Sequence, residues 1–313
     1  MSGPFFSVSL GPPALRAKPL PYPRTMRQPT DHASPMTFKR FLLVLAALLL
    51  LLTGWLYWSA IAEPTVREAR VALPGFPAGQ APVRVALLSD IHVQGPDMPP
   101  ERLARIVTQV NAQRPDLVLI AGDFLGTRAL STGHYSPAEI AAPLRGLRAR
   151  LGVIAVLGNH EHMHGDAPAM RAALTAIGIR VLANQAVQAG PLAVGGLDDQ
   201  VSGHNRDHQT YAAMRALSGA RVLLSHSPDP FATLPPDIAL MLAGHTHCGQ
   251  IVLPLYGAWS TGSDYGDRYA CGYVEQNGRK LITSAGLGAS ILPFRLLAPP
   301  DFWIVTIGPP ERR

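Results

Sequence analysis

The sequence holds only 2 cysteines in 313 residues. That excludes a disulfide scaffold and a cysteine-rich zinc module. Charge is also sparse, at 15% of residues, against 47% hydrophobic. Such a chain is too apolar and too weakly charged to be disordered throughout. It is long enough to bury a core without a crosslink or metal to hold it. Long apolar runs are scarce too: there is one, which excludes a polytopic membrane protein. No internal repeat is present. Outside the N-terminal region there is no basic excess: residues 1–62 hold six Lys and Arg against the single acid Asp31, while the other 251 hold 21 basic and 20 acidic side chains. No nucleic-acid partner is expected from that balance.

What is present begins with eight prolines in residues 1–35. Proline fixes φ and removes backbone donors, so this stretch, taken as 1–37, is expected to be disordered. Met36 opens Met-Thr-Phe-Lys-Arg and suits an alternative start. Residues Phe41 to Trp58 then run without a charge, which in helical form is close to one bilayer crossing. Lys39 and Arg40 precede the run and Trp55, Tyr57 and Trp58 close it. Basic residues favour the cytoplasmic side and aromatic rings the interface. The expectation is a single-pass anchor over 38–60 in the cytoplasmic membrane, N-terminus inside and the rest outside. A cleaved signal peptide ending at Ala60-Ile61-Ala62 is the alternative, although the apolar run is longer than such segments usually are.

Prolines and glycines over 61–82 read as a linker. The remainder, 83–307, alternates strand-length apolar runs with helical periodicity, the helices marked by Leu103, Ile106, Val107 and Val110, by Ile140, Leu144 and Leu147, and by Met170, Ala173, Leu174 and Ile177. The first half reads βαβαβ and the second mostly β, an α/β domain with helices covering sheets.

The polar residues fall at the strand ends. Val83–Ser89 leads into Asp90 and His92. Later runs lead into Asp123, into Asn159, His160 and Glu161, into His226, and into His245 and His247. Ligands in open α/β sheets gather at the carboxyl ends of strands, so these five ends should converge. Mixed carboxylate, amide and imidazole donors suit Mn, Fe or Zn. Seven donors exceed one ion's needs and suit two ions sharing a bridging carboxylate, an arrangement that serves in-line phosphoryl displacement.

Asp90-x-His92, Gly122-Asp123, Gly158-Asn159-His160-Glu161, His226 and Gly244-His245-Thr246-His247, in that order, resemble the calcineurin-like metallophosphoesterase superfamily. The segment from Gly244 to Gln250 and the tail from Gly286 to Pro300 are most similar to a membrane-anchored or exported bacterial branch. The resemblance implies a four-layer αββα sandwich behind a single N-terminal transmembrane helix. It implies one ion held by Asp90, His92, Asp123 and His247 and another by Asp123, Asn159, His226 and His245, with Asp123 bridging. A hydroxide between the ions would attack phosphorus, and His160 would face the phosphate to stabilise the transition state or protonate the leaving oxygen. The substrate it implies is a phosphodiester or phospholipid-like molecule, including UDP-2,3-diacylglucosamine-type lipid precursors. Two positions depart from the pattern: Cys248 stands where Gly is expected, and Glu161 where Asp is common.

Other readings stay open beside this one. The domain could be a catalytically idle metal-binding scaffold. His160-Glu161-His162-Met163-His164 matches the H-E-x-x-H zinc-protease motif, which requires a helix; the preceding strand and Gly158 predict a turn. His162 and His164 are expected to be solvated loop residues, and Asp198-Asp199 a structural turn. Tyr265, Arg268 and Tyr269 could contact a phosphate, and His204, Arg206 and His208 could form a lid. Cys248 and Cys271 are expected to be independent thiols, although a disulfide is permitted outside the cytoplasm.

Overall fold

The structure is a computed structural model that describes residues 37–128 and 131–310. The expectations for the Pro-rich segment and for a start at Met36 lie outside the described residues, apart from residue 37. Contacts divide the chain into two units, Met1–Ala46 and Ala47–Arg313.

In chain order the elements are α1 (Phe38–Ile61), β1 (Thr65–Ala72), β2 (Val83–Leu88), α2 (Pro100–Ala112), β3 (Leu117–Ala121), α3 (Pro137–Ala141), β4 (Val153–Val156), α4 (Asn159–Met163), α5 (Ala167–Ala176), β5 (Arg180–Val181), β6 (Gln185–Ala189) and β7 (Leu192–Gly196). They continue with α6 (Asp207–Arg215), β8 (Ala220–Leu224), β9 (Leu240–Ala243), β10 (Val252–Leu253), β11 (Gly257–Ala258), β12 (Gly272–Gln276), β13 (Arg279–Thr283) and β14 (Asp301–Gly308). Two six-stranded sheets result, ordered β1-β14-β2-β3-β4-β5 and β12-β13-β9-β8-β7-β6, with β10 and β11 forming a separate hairpin.

Period-two alternation builds the layers. Val83, Val85 and Leu87 of β2 and Leu117, Leu119 and Ala121 of β3 join Val194, Val222, Leu224 and Leu242 of the other sheet in one core between the sheets. The intervening Ala86, Leu88, Val118 and Ile120 point the other way, onto Leu103, Ile106 and Val110 of α2 and Met170 and Leu174 of α5. On the far side Leu223, Met241 and Leu281 pack against Tyr211 and Met214 of α6. The four-layer sandwich follows from these faces. Strands β2, β3 and β4 run parallel, as do β8 and β9, so each set delivers its carboxyl ends to one rim.

The structure corrects two local expectations. The span 61–82 is not all linker: Thr65–Ala72 forms β1, paired along its length with β14. Its prolines flank the strand rather than interrupt it; Glu68 and Arg70 are exposed at the sheet edge, and Arg67 meets Asp301 at 2.6 Å. Residues 159–163 form a one-turn helix, α4, rather than a turn.

Helix α1 is long and apolar enough to cross a membrane. Its C-terminal end is held by side chains of the sandwich. The buried Arg102 guanidinium donates to the carbonyls of Ala60 and Ala62, at 3.2 and 2.9 Å, which satisfies acceptors a helix end leaves open.

Candidate metal centre

The donors stand at the strand ends because the backbone there is bent sharply. Asp90, His92, Asp123, His245 and His247 all have positive φ, between 47 and 71°. A left-handed residue other than glycine costs free energy and persists only where its surroundings hold it. Here hydrogen bonds between loops hold it: Asp90 N–H donates to Gly122 O and His92 N–H to Asp123 O, both at 3.0 Å, and Gly244 N–H to His226 O at 2.9 Å. Two glycines make room for this approach. A side chain at Gly158 would collide with Asp123 Oδ1, and one at Gly244 with Asp90 Oδ2.

The seven other candidate site residues, Asp90, His92, Asn159, His160, His226, His245 and His247, gather around the Asp123 carboxylate. Its Oδ2 lies 3.3 Å from His226 Nε2, 3.5 Å from His92 Nε2 and 3.8 Å from His160 Nε2. On one side, His92 Nε2 and His247 Nε2 are 3.1 Å apart, and His247 Nε2 is 3.6 Å from Asp90 Oδ1. On the other, His226 Nε2 lies 3.0 Å from Asn159 Oδ1 and 3.1 Å from His245 Nδ1. The far nitrogens of the rings are engaged by carbonyls: His92 Nδ1 donates to Leu125 O at 3.0 Å, His226 Nδ1 to Ala121 O at 2.7 Å, and His245 Nε2 to Gly262 O at 3.1 Å. Each of these rings therefore turns its other nitrogen inward. Carbonyl-oriented imidazoles converging on carboxylates are a metal-binding donor set with its outer contacts already made. Asp90, His92 and His247 form one group of mutually close ligand atoms, Asp123, His226 and His245 another, and His92, Asp123 and His160 a third that overlaps both.

The electrostatics fit a cation-binding site. Burial, with His160 nearby, pushes His92 down to about 3, and burial with His226 pushes His245 down to about 4. Both rings are neutral and able to donate a lone pair. Burial also lowers His226, but Asp123 overrides it and raises the ring to about 10. Burial would raise Asp123, yet the imidazoles beside it hold the carboxylate well below its usual range. Asp90 is pushed up to about 6, chiefly by burial. A protonated His226 against Asp123 is thus the positive charge the protein groups supply themselves, and a divalent ion can displace that proton.

Residues behind the donors fix them. Glu161, fully buried, accepts hydrogen bonds from the N–H groups of Phe124, Leu125 and Gly158 at 2.8–2.9 Å and of Asp123 at 3.2 Å. Burial and the negative charge of Asp123 push it up to about 8. This carboxylate organises the Asp123 loop and α4 and faces no cleft, so it cannot serve as a protease base. The helix the motif needs is present, but the acid it needs is spent on backbone.

Two further residues, Thr127 and Arg295, went unmarked by any pattern in the sequence. Thr127 Oγ1 meets His160 Nδ1 at 2.6 Å and sets that ring's direction. Arg295, buried, donates to the carbonyls of Ala285, Gly286 and Gly288 and lies 3.3 Å from His247 Nδ1. Behind burial and the His92 ring, its charge helps hold His247 well below the usual imidazole range. No local motif marks either residue; both act across long sequence separations.

Other expectations fare differently. Cys248 and Cys271 are disulfide-bonded, with Cα atoms 4.7 Å apart, not independent thiols: the two segments that the folded core brings together lie far apart in sequence. His162 is not a solvated loop residue, for it contacts Asp198 at 2.9 Å and stacks on His204, with ring centroids 4.1 Å apart. His164 is exposed. Asp199 closes a structural turn through Val201 and Ser202. Tyr269 is buried on Phe231, with Arg268 over its ring.

A cleft of about 330 Å³ opens over the donors. Its floor carries Asn159, His160, His245 and His247, and its walls Trp259, Ile291 and Leu292.

The calcineurin-like phosphoesterase family model matches residues 83–249, which include every donor. The chain is 33% identical over 225 residues to a Caenorhabditis elegans protein named as a metallophosphoesterase, covering 65% of this chain and 45% of that one. It is 29% identical over 251 residues to the uncharacterized metallophosphoesterase YkuE of Bacillus subtilis, covering 78% of this chain and 84% of that one. It is 31% identical over 210 residues to a Danio rerio transmembrane protein with metallophosphoesterase domain, covering 62% and 46%. The chain thus spans about half the length of the worm and fish relatives.

Proposed function

The chain belongs to the calcineurin-like phosphoesterase family; we propose that it is a metal-dependent phosphoesterase that acts on phosphodiesters with two divalent ions, of Mn, Fe or Zn. The observation that carries this reading is donors clustered on both sides of the Asp123 carboxylate: His226 and His245 group with it on one side, and on the other His92, 3.5 Å from it, groups with Asp90 and His247. Asp90, His92, Asp123 and His247 would hold one ion and Asp123, Asn159, His226 and His245 the other. When bound, such ions lower the pKa of water and neutralise charge on the attacking and leaving oxygens of the displacement.

The chain's own residues do the rest. Glu161 and the loop hydrogen bonds hold the donors in place before substrate arrives. His160, fixed by Thr127 and lowered by burial, borders the cleft and is positioned to give a proton to, or hydrogen-bond, a phosphoryl or leaving oxygen. The cleft walls orient the substituent of the phosphate.

We also propose that α1 is a retained anchor, with its N-terminus inside and the sandwich outside the cytoplasmic membrane. Lys39 and Arg40 at one end, Trp55 and Trp58 near the other, and the names of the transmembrane relatives favour it. The Cys248–Cys271 disulfide favours an oxidising compartment.

The test is turnover of a soluble chromogenic phosphodiester by the full chain in detergent, stripped of metal and then given each ion separately. Metal-restored turnover is expected. Bound metal without turnover of any phosphoester would replace this reading with an idle scaffold.

A further inference from the structure

Outside α1, the exposed large apolar side chains among the described residues are concentrated in two short segments. One is the β10–β11 hairpin and the residue after it, with Leu255 110%, Tyr256 74% and Trp259 72% exposed. The other is the stretch 290–297, with Ile291 80% exposed and Leu292 and Leu297 exposed as well. Residues 250–259 contain no charge, and in 290–297 the single charge, Arg295, is buried. Exposed uncharged apolar surface of this kind marks a binding face.

The two segments form one surface. Leu296 N–H donates to Gln250 O at 2.9 Å and Val252 N–H to Leu296 O at 3.0 Å, while the Gln250 side chain bonds Leu292 O and Ser290 N–H. That surface is joined to the anchor: Arg295 N–H donates to Leu56 O at 3.1 Å. Leu56 lies five residues inside the C-terminal end of α1, about 7.5 Å along the axis. It sits among Trp55, Tyr57 and Trp58, the rings that mark the water–lipid boundary of a crossing helix. Segment 290–297 is therefore held at the level of the boundary, and the hairpin is hydrogen-bonded to it.

We propose that the β10–β11 hairpin and segment 290–297 form a membrane-docking rim that enters the interfacial layer of the bilayer holding α1. The cleft then opens between Trp259 and Ile291 toward lipid, with the donor cluster at its floor, and the phosphoester it takes is the headgroup of an amphiphile resident in that bilayer. This rests on the phosphoesterase and anchor readings above. The occupant of the rim is lipid rather than a protein partner because the rim is fixed to the helix at boundary height and carries aromatic and aliphatic side chains without charge.

The test uses the full chain in phosphatidylcholine–phosphatidylglycerol nanodiscs. A nitroxide on Leu255→Cys, the native cysteines being paired, reports depth by its accessibility to oxygen and to a nickel chelate; Gln185→Cys, exposed on β6, is the control. The expected result is a Leu255→Cys label sheltered from nickel and open to oxygen, with the control label aqueous. A label at 255 as aqueous as the control overturns the proposal. In parallel, Leu255→Asp with Tyr256→Asp should slow hydrolysis of a vesicle-embedded phosphodiester by about tenfold or more. Turnover of a soluble nitrophenyl diester should not change, since neither residue lines the cleft. Equal effects on both substrates overturn the proposal. Wild-type chain with no metal-dependent turnover of the soluble diester overturns the catalytic reading instead, and the depth measurement then decides the rim alone.

Discussion

The backbone N–H of His160 donates to Asp123 Oδ1 at 3.0 Å, while the ring Nε2 of the same histidine lies 3.8 Å from Asp123 Oδ2. One carboxylate thus anchors the start of α4 through one oxygen and leaves the other to the imidazoles. The ring is aimed by Thr127, and its Nε2 stands farther from Asp123 than those of His226 and His92. His160→Gln is therefore expected to bind metal as the wild type does and to lose about 10²–10⁴-fold in kcat. Metal analysis and steady-state kinetics on the same preparation check both halves. Loss of metal together with activity would make His160 a ligand instead.

Glu161 carries a different load. Glu161→Ala leaves four buried N–H groups without an acceptor, each costing about 1–3 kcal/mol. It should lower the unfolding free energy by more than about 3 kcal/mol and release the Asp123 loop, with metal affinity falling in step. Glu161→Gln keeps one acceptor oxygen and should fall between. Thermal unfolding with and without metal reads this. An unchanged melting temperature would show that water replaces the carboxylate.

The protons predict a pH dependence. His226 is raised to about 10 beside Asp123. A histidine raised on folding contributes stability that is fully present below its unfolded pKa, about 6.5, and lost as pH rises through about 10. The chelator-stripped chain should therefore lose stability between about pH 7 and about pH 10, and the metal-loaded chain should not. Over the same window metal affinity should rise by about tenfold per pH unit, because one proton leaves as the ion enters. Below about 6 the Asp90 proton competes as well. Calorimetric titration in buffers of different ionisation enthalpy measures the released proton, and binding without release would contradict the account.

The Cys248–Cys271 bond closes a loop of sequence separation 23 that follows His247 directly and includes Trp259 and Gly262, whose carbonyl holds His245. Breaking it should cost on the order of 3 kcal/mol by loop entropy. Cys248→Ser with Cys271→Ser should melt earlier and bind metal less tightly. Metal affinity untouched by the double variant would show that the loop holds its shape unaided.

The strand-end donors were legible in the sequence because each follows an apolar run that buries on both faces, and parallel strands send such ends to one rim. Which side chains of β2 and β3 face which layer was not legible, because both runs are apolar nearly throughout. β1 was hidden because an edge strand with Arg67, Glu68 and Arg70 on it reads as polar linker between prolines. α4 was hidden by its length, a single turn whose stability comes from Glu161 and Asp123 rather than from periodicity. Thr127, Arg295 and the disulfide partners act across 33, 48 and 23 residues of sequence, where no spacing rule reaches.

The proposed catalysis depends on two ions sharing Asp123. Titrating the metal-stripped full chain with Mn(II) while following turnover of a soluble phosphodiester tests it directly. Activity is expected to appear only as the second ion binds, with two ions held per chain at saturation, and Asp123→Ala is expected to abolish turnover and hold fewer ions. Full activity at one ion per chain, or an active Asp123→Ala variant, would contradict it.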